Sequence, residues 1–281
     1  MSGEWIEAVK RVNAVWFSPT GTTQKTVEAV AKSICKNMDG DTEYKSTSFT
    51  LSREREKHLE FNEEDIVVFG VPVYAGRVPN ILLKYLNTVI GGRSQVVPIV
   101  VYGNRNYDDA LIELKGIMEV CNFKVVAAGA FIGEHSFSRI LAKDRPDVLD
   151  MEIAESFGAK ISSKIAAGNV KDCIDVKGEY PCRPYYRPRD IEGNFYDFRK
   201  IKPKTKNTCK DCKTCVEVCP MGSIDRDDVS KFTGICIKCG ACIKKCPVGA
   251  KYYDDVNYLK HQHELEDECK ERKEPELFCD K

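Results

Sequence analysis

The chain has 281 residues, 42 % of them hydrophobic, and its 43 lysines and arginines are balanced by 43 aspartates and glutamates. That length suits two domains, and a net charge of zero gives no basis for a nucleic-acid or anionic-membrane partner. The opening MSGEWIEAVK lacks the apolar stretch of a signal peptide, and no apolar run approaches the ~18 residues of a spanning helix, so the expected setting is cytoplasmic, with reduced cysteines and no membrane.

Up to residue 167, apolar runs alternate with amphipathic stretches. Runs of β type cover 12–17, 66–73, 96–102 and 125–131, with a weaker polar one near 42–50. Helical patterns fill 22–36, 80–88, 107–121 and 147–167; in the first, Val27, Val30, Ala31 and Ile34 recur at helical spacing. Residues 53–60 are charged and read equally as a short helix or a loop. Fully apolar strands joined by helices predict a parallel sheet covered on both faces.

Ligands of such sheets bind beyond the carboxyl ends of the strands, which directs attention to three loops. The first is Ser18-Pro-Thr20-Gly21-Thr22-Thr23, between a strand and a helix start. Free N–H groups, partial positive charge and hydroxyl donors meet there, as a phosphate requires; the alternative is a plain capped helix. It lacks the Gly-Lys-Ser/Thr ending of a nucleotide-binding P-loop and the G-x-G-x-x-G of a dinucleotide site. The segments Pro72–Pro79 and Tyr102–Asp108 place tyrosines, glycines and amides on the same sheet edge, the ingredients of a slot for a flat heterocycle. For any one of Tyr74, Tyr102 and Tyr107 a half-buried surface tyrosine is an equal reading; three in convergent loops favour the slot. His135, after the fifth strand, lies on that edge too and reads as a loop histidine that could also donate a proton.

Residues 168–206 show little periodicity but are rich in Pro, Gly, Tyr and Arg. The aromatic content argues against a solvated tether; packing along the first domain is expected. The division is then 1–167, an ordered connecting segment 168–200, and 201–281.

The last part carries Cys209-x2-Cys212-x2-Cys215-x3-Cys219-Pro220 and, again, Cys236-x2-Cys239-x2-Cys242-x3-Cys246-Pro247. This is the bacterial iron–sulfur spacing: three thiolates hold one cubane and the fourth crosses to the other. Cluster one is assigned Cys209, Cys212, Cys215 and Cys246; cluster two, Cys236, Cys239, Cys242 and Cys219. Zinc fits less well, since each run already offers four cysteines. Of the remaining cysteines, Cys35 and Cys121 read as buried hydrophobes, and Cys173, Cys182, Cys269 and Cys279 fit no ligand pattern. The stretch 254–281 reads as a solvated helix capping this module. From Phe198 onward, 18 Lys/Arg stand against 15 Asp/Glu.

The loop Ser18–Thr23 resembles the phosphate loop of flavodoxins, and 72–79 and 102–108 resemble the ring loops of flavodoxin-like domains fused to bacterial 2[4Fe–4S] ferredoxins in anaerobes. The resemblance implies a flavodoxin-like five-stranded parallel sheet with helices on both faces, plus a small α+β ferredoxin-like domain. It implies FMN, with Ser18, Thr20, Gly21, Thr22 and Thr23 on the phosphate and Pro72, Tyr74, Ala75, Gly76, Asn104 and Tyr107 along the ring. Many free flavodoxins carry a tryptophan over the ring; Trp5 and Trp16 lie in neither ring loop, which makes Tyr74 and Tyr107 the candidates to stack.

The function implied is electron transfer between FMN and two [4Fe–4S] clusters, serving donor and acceptor proteins in anaerobic metabolism. A ferredoxin-fed flavin reductase acting on a small organic substrate is the alternative, and a redox sensor without turnover a third.

Overall fold

The computed structural model describes residues 11–38, 40–169 and 174–279; Trp5 and Cys173 lie outside them. In the first part, β1 (Arg11–Trp16), α1 (Thr22–Lys36), β2 (Glu43–Ser48), β3 (Asp65–Pro72), α2 (Asn80–Leu86), β4 (Gln95–Tyr102), α3 (Ala110–Val120), β5 (Lys124–Val125), β6 (Ala128–Ile132) and α4 (Val148–Ala166) follow one another. The charged stretch after β2 forms a 3-10 turn over Ser52–Glu56. The main path of the sheet runs β2-β1-β3-β4-β6, all parallel. With strands counted along that path, the order is 2-1-3-4-5, the flavodoxin-like arrangement.

Alternation along the strands sorts the core onto two faces. Val12 and Ala14 of β1 join Val68, Val97 and Ile99 beneath α1 and α4. Val15, Phe17, Phe69, Val96 and Val100 join Leu82, Leu111 and Leu114 of α2 and α3. Full burial of each such side chain stabilises by roughly 1.5–3 kcal/mol. The Val27, Val30 and Ile34 stripe of α1 is fully buried.

The second part is small. Hairpin strands β7 (Lys204–Thr205) and β8 (Lys251–Tyr252) flank two one-turn helices, α5 (Thr214–Glu217) and α6 (Ala241–Lys244). Its apolar cluster centres on Cys215, Ile224 and Val229, too little to hold a domain alone.

The C-terminal stretch departs from the expected solvated helix. In α7 (Val256–Glu268), Tyr258, His261 and Leu265 are buried, and the Tyr258 ring packs on Phe137 and Phe198. The chain then returns to the first sheet, where β9 (Glu276–Phe278) pairs antiparallel with β6. The five-stranded parallel core therefore gains an antiparallel edge, besides the short β5 on β4. Arg272 fixes this return by bonding Asp147 (2.6 Å), the N-cap of α4, while the buried Arg145 pairs with Asp150 and donates to the Lys273 carbonyl.

Candidate functional site

The phosphate loop follows from how β1 hands over to α1. The Ser18 N–H donates to Thr50 Oγ1 (2.8 Å), and Ser18 Oγ accepts from the Gln24 N–H (3.0 Å). Ser18 thus ties the loop to the helix start. Gly21 takes the left-handed conformation, φ +100°, open to glycine at little cost. Among the described residues, the N–H groups of Thr20, Gly21, Thr22 and Thr23 have no acceptor, and a side chain placed on Gly21 would meet nothing within 4 Å. Four unclaimed donors at the start of a 15-residue helix fit a phosphate group.

Beside this loop a cavity of about 50 Å³ is lined by Thr20, Thr22, Thr23, Pro72, Tyr74 and also Cys239. Next to it a larger one, about 240 Å³, is bordered by Tyr74, Ala75 and Gly76 after β3 and by Gly103 and Arg105 after β4. Tyr74, Gly103 and His135 line both. A ring lodged there meets apolar walls and backbone edges. Its cover comes from Tyr186 and Phe198 of the connecting segment, Ile237 and Lys238 of the second cysteine run, and His261 of α7.

Charge in the cavity is held tightly. His135 sits over Gly103, where an added Cβ would lie 2.3 Å from its Cδ2. Burial pushes its pKa down to about 3, helped by the nearby His261, Lys244 and Arg105. The ring is therefore neutral near pH 7; its Nδ1 accepts from the Phe137 N–H (3.1 Å), which leaves the proton on Nε2. Burial also lowers the pKa of His261, whose ring stacks on Tyr186. Arg105 pairs with Asp108 and lies 5.0 Å over the Tyr186 ring. Tyr74 is pushed well above the usual phenol range by burial, then by Cys239 and Cys236.

Two expected ring residues stand elsewhere. Asn104 donates from Nδ2 to the carbonyls of Cys269 (2.6 Å) and Glu271 (2.8 Å). Tyr107 is buried in the core, with its hydroxyl on Glu276 (3.1 Å). Both hold the returning tail and neither borders the cavities, whereas Tyr74 borders both. The sequence signal missed was on α7: Tyr258, His261 and Leu265, at i, i+3 and i+7, mark a buried stripe.

The two cysteine runs adopt one backbone twice. Asp211 and Lys213 are left-handed in the first; Lys238 and Gly240 are left-handed at the equivalent places in the second. Backbone N–H groups reach sulfur from Asp211 to Cys209 (3.4 Å), Ser223 to Cys219 (3.4 Å) and Ala250 to Cys246 (3.2 Å). Cys219, Cys236, Cys239 and Cys242 together line one cavity of about 20 Å³, although Cys219 belongs to the first run. In the other set, Cys215 is influenced electrostatically by Cys209, and Cys212 by Cys246. Two cubanes held in crossed fashion would use this grouping. Among the described residues, no three His, Cys, Asp or Glu converge on a single ion. Burial pushes the Cys239 thiol up to about 12, so its thiolate would form where a bound metal takes the place of the proton. Cys212 is exposed.

Direct bonds seat this module on the sheet edge. Arg55 donates to the Pro220 carbonyl (2.8 Å), Arg139 to that of Ile243 (3.0 Å), and Lys244 pairs with Glu134. The connecting segment is bound as well: Tyr186 N–H to Ala75 O (2.9 Å), Tyr185 Oη to Val78 O (2.7 Å), and Arg183 onto the buried Asp109 (2.6 Å). Arg183 holds the Asp109 carboxyl well below the usual carboxylate range.

Residues 208–250 match the family of 4Fe-4S dicluster domains. Among solved structures, similarity is found to a flavodoxin from the domain Archaea (15 % identity, 56 % of this chain and 99 % of that one, TM-score 0.41). A second is flavodoxin 2 from Bacillus cereus (13 %, 56 % and 99 %, TM-score 0.39). No curated protein matches. No helix among the described residues is long and apolar enough to cross a membrane. Strand order and cysteine runs together make the chain a flavodoxin-like sheet fused to an iron–sulfur module of ferredoxin type.

Proposed function

We propose that this chain is an electron-transfer protein that binds one FMN and two [4Fe–4S] clusters and works in the cytoplasm of an anaerobic cell. The observation that carries the reading is Cys239: it lines the cavity of the phosphate loop and also the cavity of the cluster-two cysteines. FMN supplies a centre that holds one or two electrons and each cubane one that holds a single electron.

The chain's own residues bind, cover and tune. The N–H groups of Thr20–Thr23 take the phosphate, and Tyr74 offers a face to the ring. Tyr186, Phe198 and His261 exclude water from the cavity, which strengthens every charge inside it. Lys238 brings a positive charge to the cavity wall, with Nζ on the Cys236 carbonyl (3.0 Å).

Anoxic purification followed by flavin, iron and sulfide analysis tests the reading. About one flavin and eight irons per chain are expected, and photoreduction of the clusters should bleach the flavin. Clusters without flavin would leave a ferredoxin module only. The second reading, a reductase for a small organic substrate, draws on His135, His261 and Arg105 around one cavity. It predicts saturable reoxidation of the reduced chain by a small molecule without any partner protein.

A further inference from the structure

We infer that the cluster-one end of the molecule is a docking surface for an acidic electron-carrier protein. The inference rests on the reading of Cys209, Cys212, Cys215 and Cys246 as cluster ligands and adds the partner's character. The chain as a whole is neutral, with 43 charges of each sign, yet charge is segregated at this end. Lys206, Lys210 and Lys245 lie within three residues of cluster-one ligands and are exposed. Among the described residues, none of the three pairs with a carboxylate, whereas the neighbouring Asp211 is neutralised by Lys213 (2.7 Å) and Glu217 by Arg226 (2.6 Å). Among these side chains the uncompensated charge is therefore positive.

The surface also has shape and an apolar contact. An open groove of about 670 Å³ is lined by Lys206, Arg139, Ile140, Ile243, Cys246 and Gly249. Ile140 is 68 % exposed, an aliphatic contact in a lining that carries Arg139, Lys206 and also Glu266, which accepts from Ser138 and Gln262. Lys206 is held 5.3 Å over the Tyr252 ring, which keeps its charge at the groove. Cys212, exposed among the cluster-one cysteines, opens that set of sulfurs to solvent. An electron carrier needs fast, reversible encounters, and opposite charge on the partner supplies them at low ionic strength. A polyanion such as DNA or an anionic bilayer would meet the same lysines but would make no use of a cluster ligand among them.

The test uses the full chain with its clusters, and two one-electron probes of opposite charge, the acidic rubredoxin and the basic cytochrome c. Binding is measured by titration, and reoxidation of the dithionite-reduced chain by stopped flow. At about 10 mM salt, rubredoxin should bind and react at least about tenfold faster than cytochrome c relative to their rates at 0.5 M salt, a modest part of the range of electrostatic steering. The triple variant Lys206→Glu/Lys210→Glu/Lys245→Glu should reverse that order, while Lys45→Glu/Lys124→Glu on the sheet domain should leave it unchanged. Salt-independent reactions, or a triple variant that shifts only the cluster potential, overturn the proposal. Tighter binding to a DNA duplex or a phosphatidylserine vesicle than to rubredoxin overturns it as well. Binding of rubredoxin without reoxidation upholds the surface and sinks the electron-transfer reading instead.

Discussion

Gly240 lies against the carbonyl oxygen of Ser136: a Cβ on that glycine would stand 2.6 Å from it, and the backbone there is left-handed, φ +74°. The contact joins the second cysteine run to the loop after β6, and so sets the cluster-two sulfurs beside the cavity. Gly240→Ala should pay a left-handed penalty of roughly 1–2 kcal/mol and also push against backbone that cannot yield. We expect the variant to keep its iron and to lose most of the rate of flavin bleaching after cluster photoreduction. Equal rates in variant and wild type would show that the contact does not set the approach.

Asn104 offers a direct contrast between sequence reading and structure. Its Nδ2 holds two tail carbonyls, while its buried Oδ1 has no partner among the described residues. Asn104→Ala should loosen residues 269–278, at a cost of about 1–3 kcal/mol for the buried groups left unpaired, seen as faster hydrogen exchange in β9. Flavin affinity should change little. A large loss of flavin with unchanged tail exchange would return Asn104 to the ring.

The reason such a residue misleads is physical. Apolar strands and the stripe of α1 are written locally, by alternation and by 3.6-residue spacing, and the strands and helices stand close to where those patterns fall. The cysteine runs are also local, because ligand spacing is chemistry along the chain. A loop such as 102–108 has an inner and an outer side, and no periodicity tells Arg105, at the cavity, from Asn104, beneath the tail. The three residues of β9 are too short to show alternation, and their pairing with β6 spans some 150 residues, which no local pattern encodes. His261 and Lys238 reach the cavity only because the second module docks there.

The connecting segment should show a defined pH response. Arg183 lowers the folded-state pKa of Asp109 below that of the unfolded chain. Its stabilisation is therefore complete above the unfolded value of about 3.9 and fades as pH falls below it toward the folded value. Protection of residues 179–187 against hydrogen exchange should hold from pH 7 to 5 and decline only under stronger acid. Asp109→Asn should open the segment to trypsin at Arg189 at neutral pH, since Arg183 and Arg187 each precede a proline and resist that protease. Rapid tryptic cutting of the wild type within 178–194 would show a loose tether instead.

Crossed ligation, as proposed, would separate two cysteines that look equivalent in sequence. Cys219 and Cys246 each end their run before a proline, yet Cys219 joins Cys236, Cys239 and Cys242 around one cavity. Cys219→Ser should therefore damage the cluster nearer the flavin cavity, and Cys246→Ser the one nearer solvent. Each variant should retain about four irons, one cubane's worth. They should differ in behaviour: reduction of the remaining cluster should still bleach flavin in Cys246→Ser, where cluster two survives, and should be strongly slowed in Cys219→Ser, where it does not. Electron paramagnetic resonance of the reduced variants, with flavin absorbance followed in parallel, reads both. If Cys219→Ser bleached flavin as fast as wild type and Cys246→Ser did not, each run would ligate its own cluster and the crossing would be wrong.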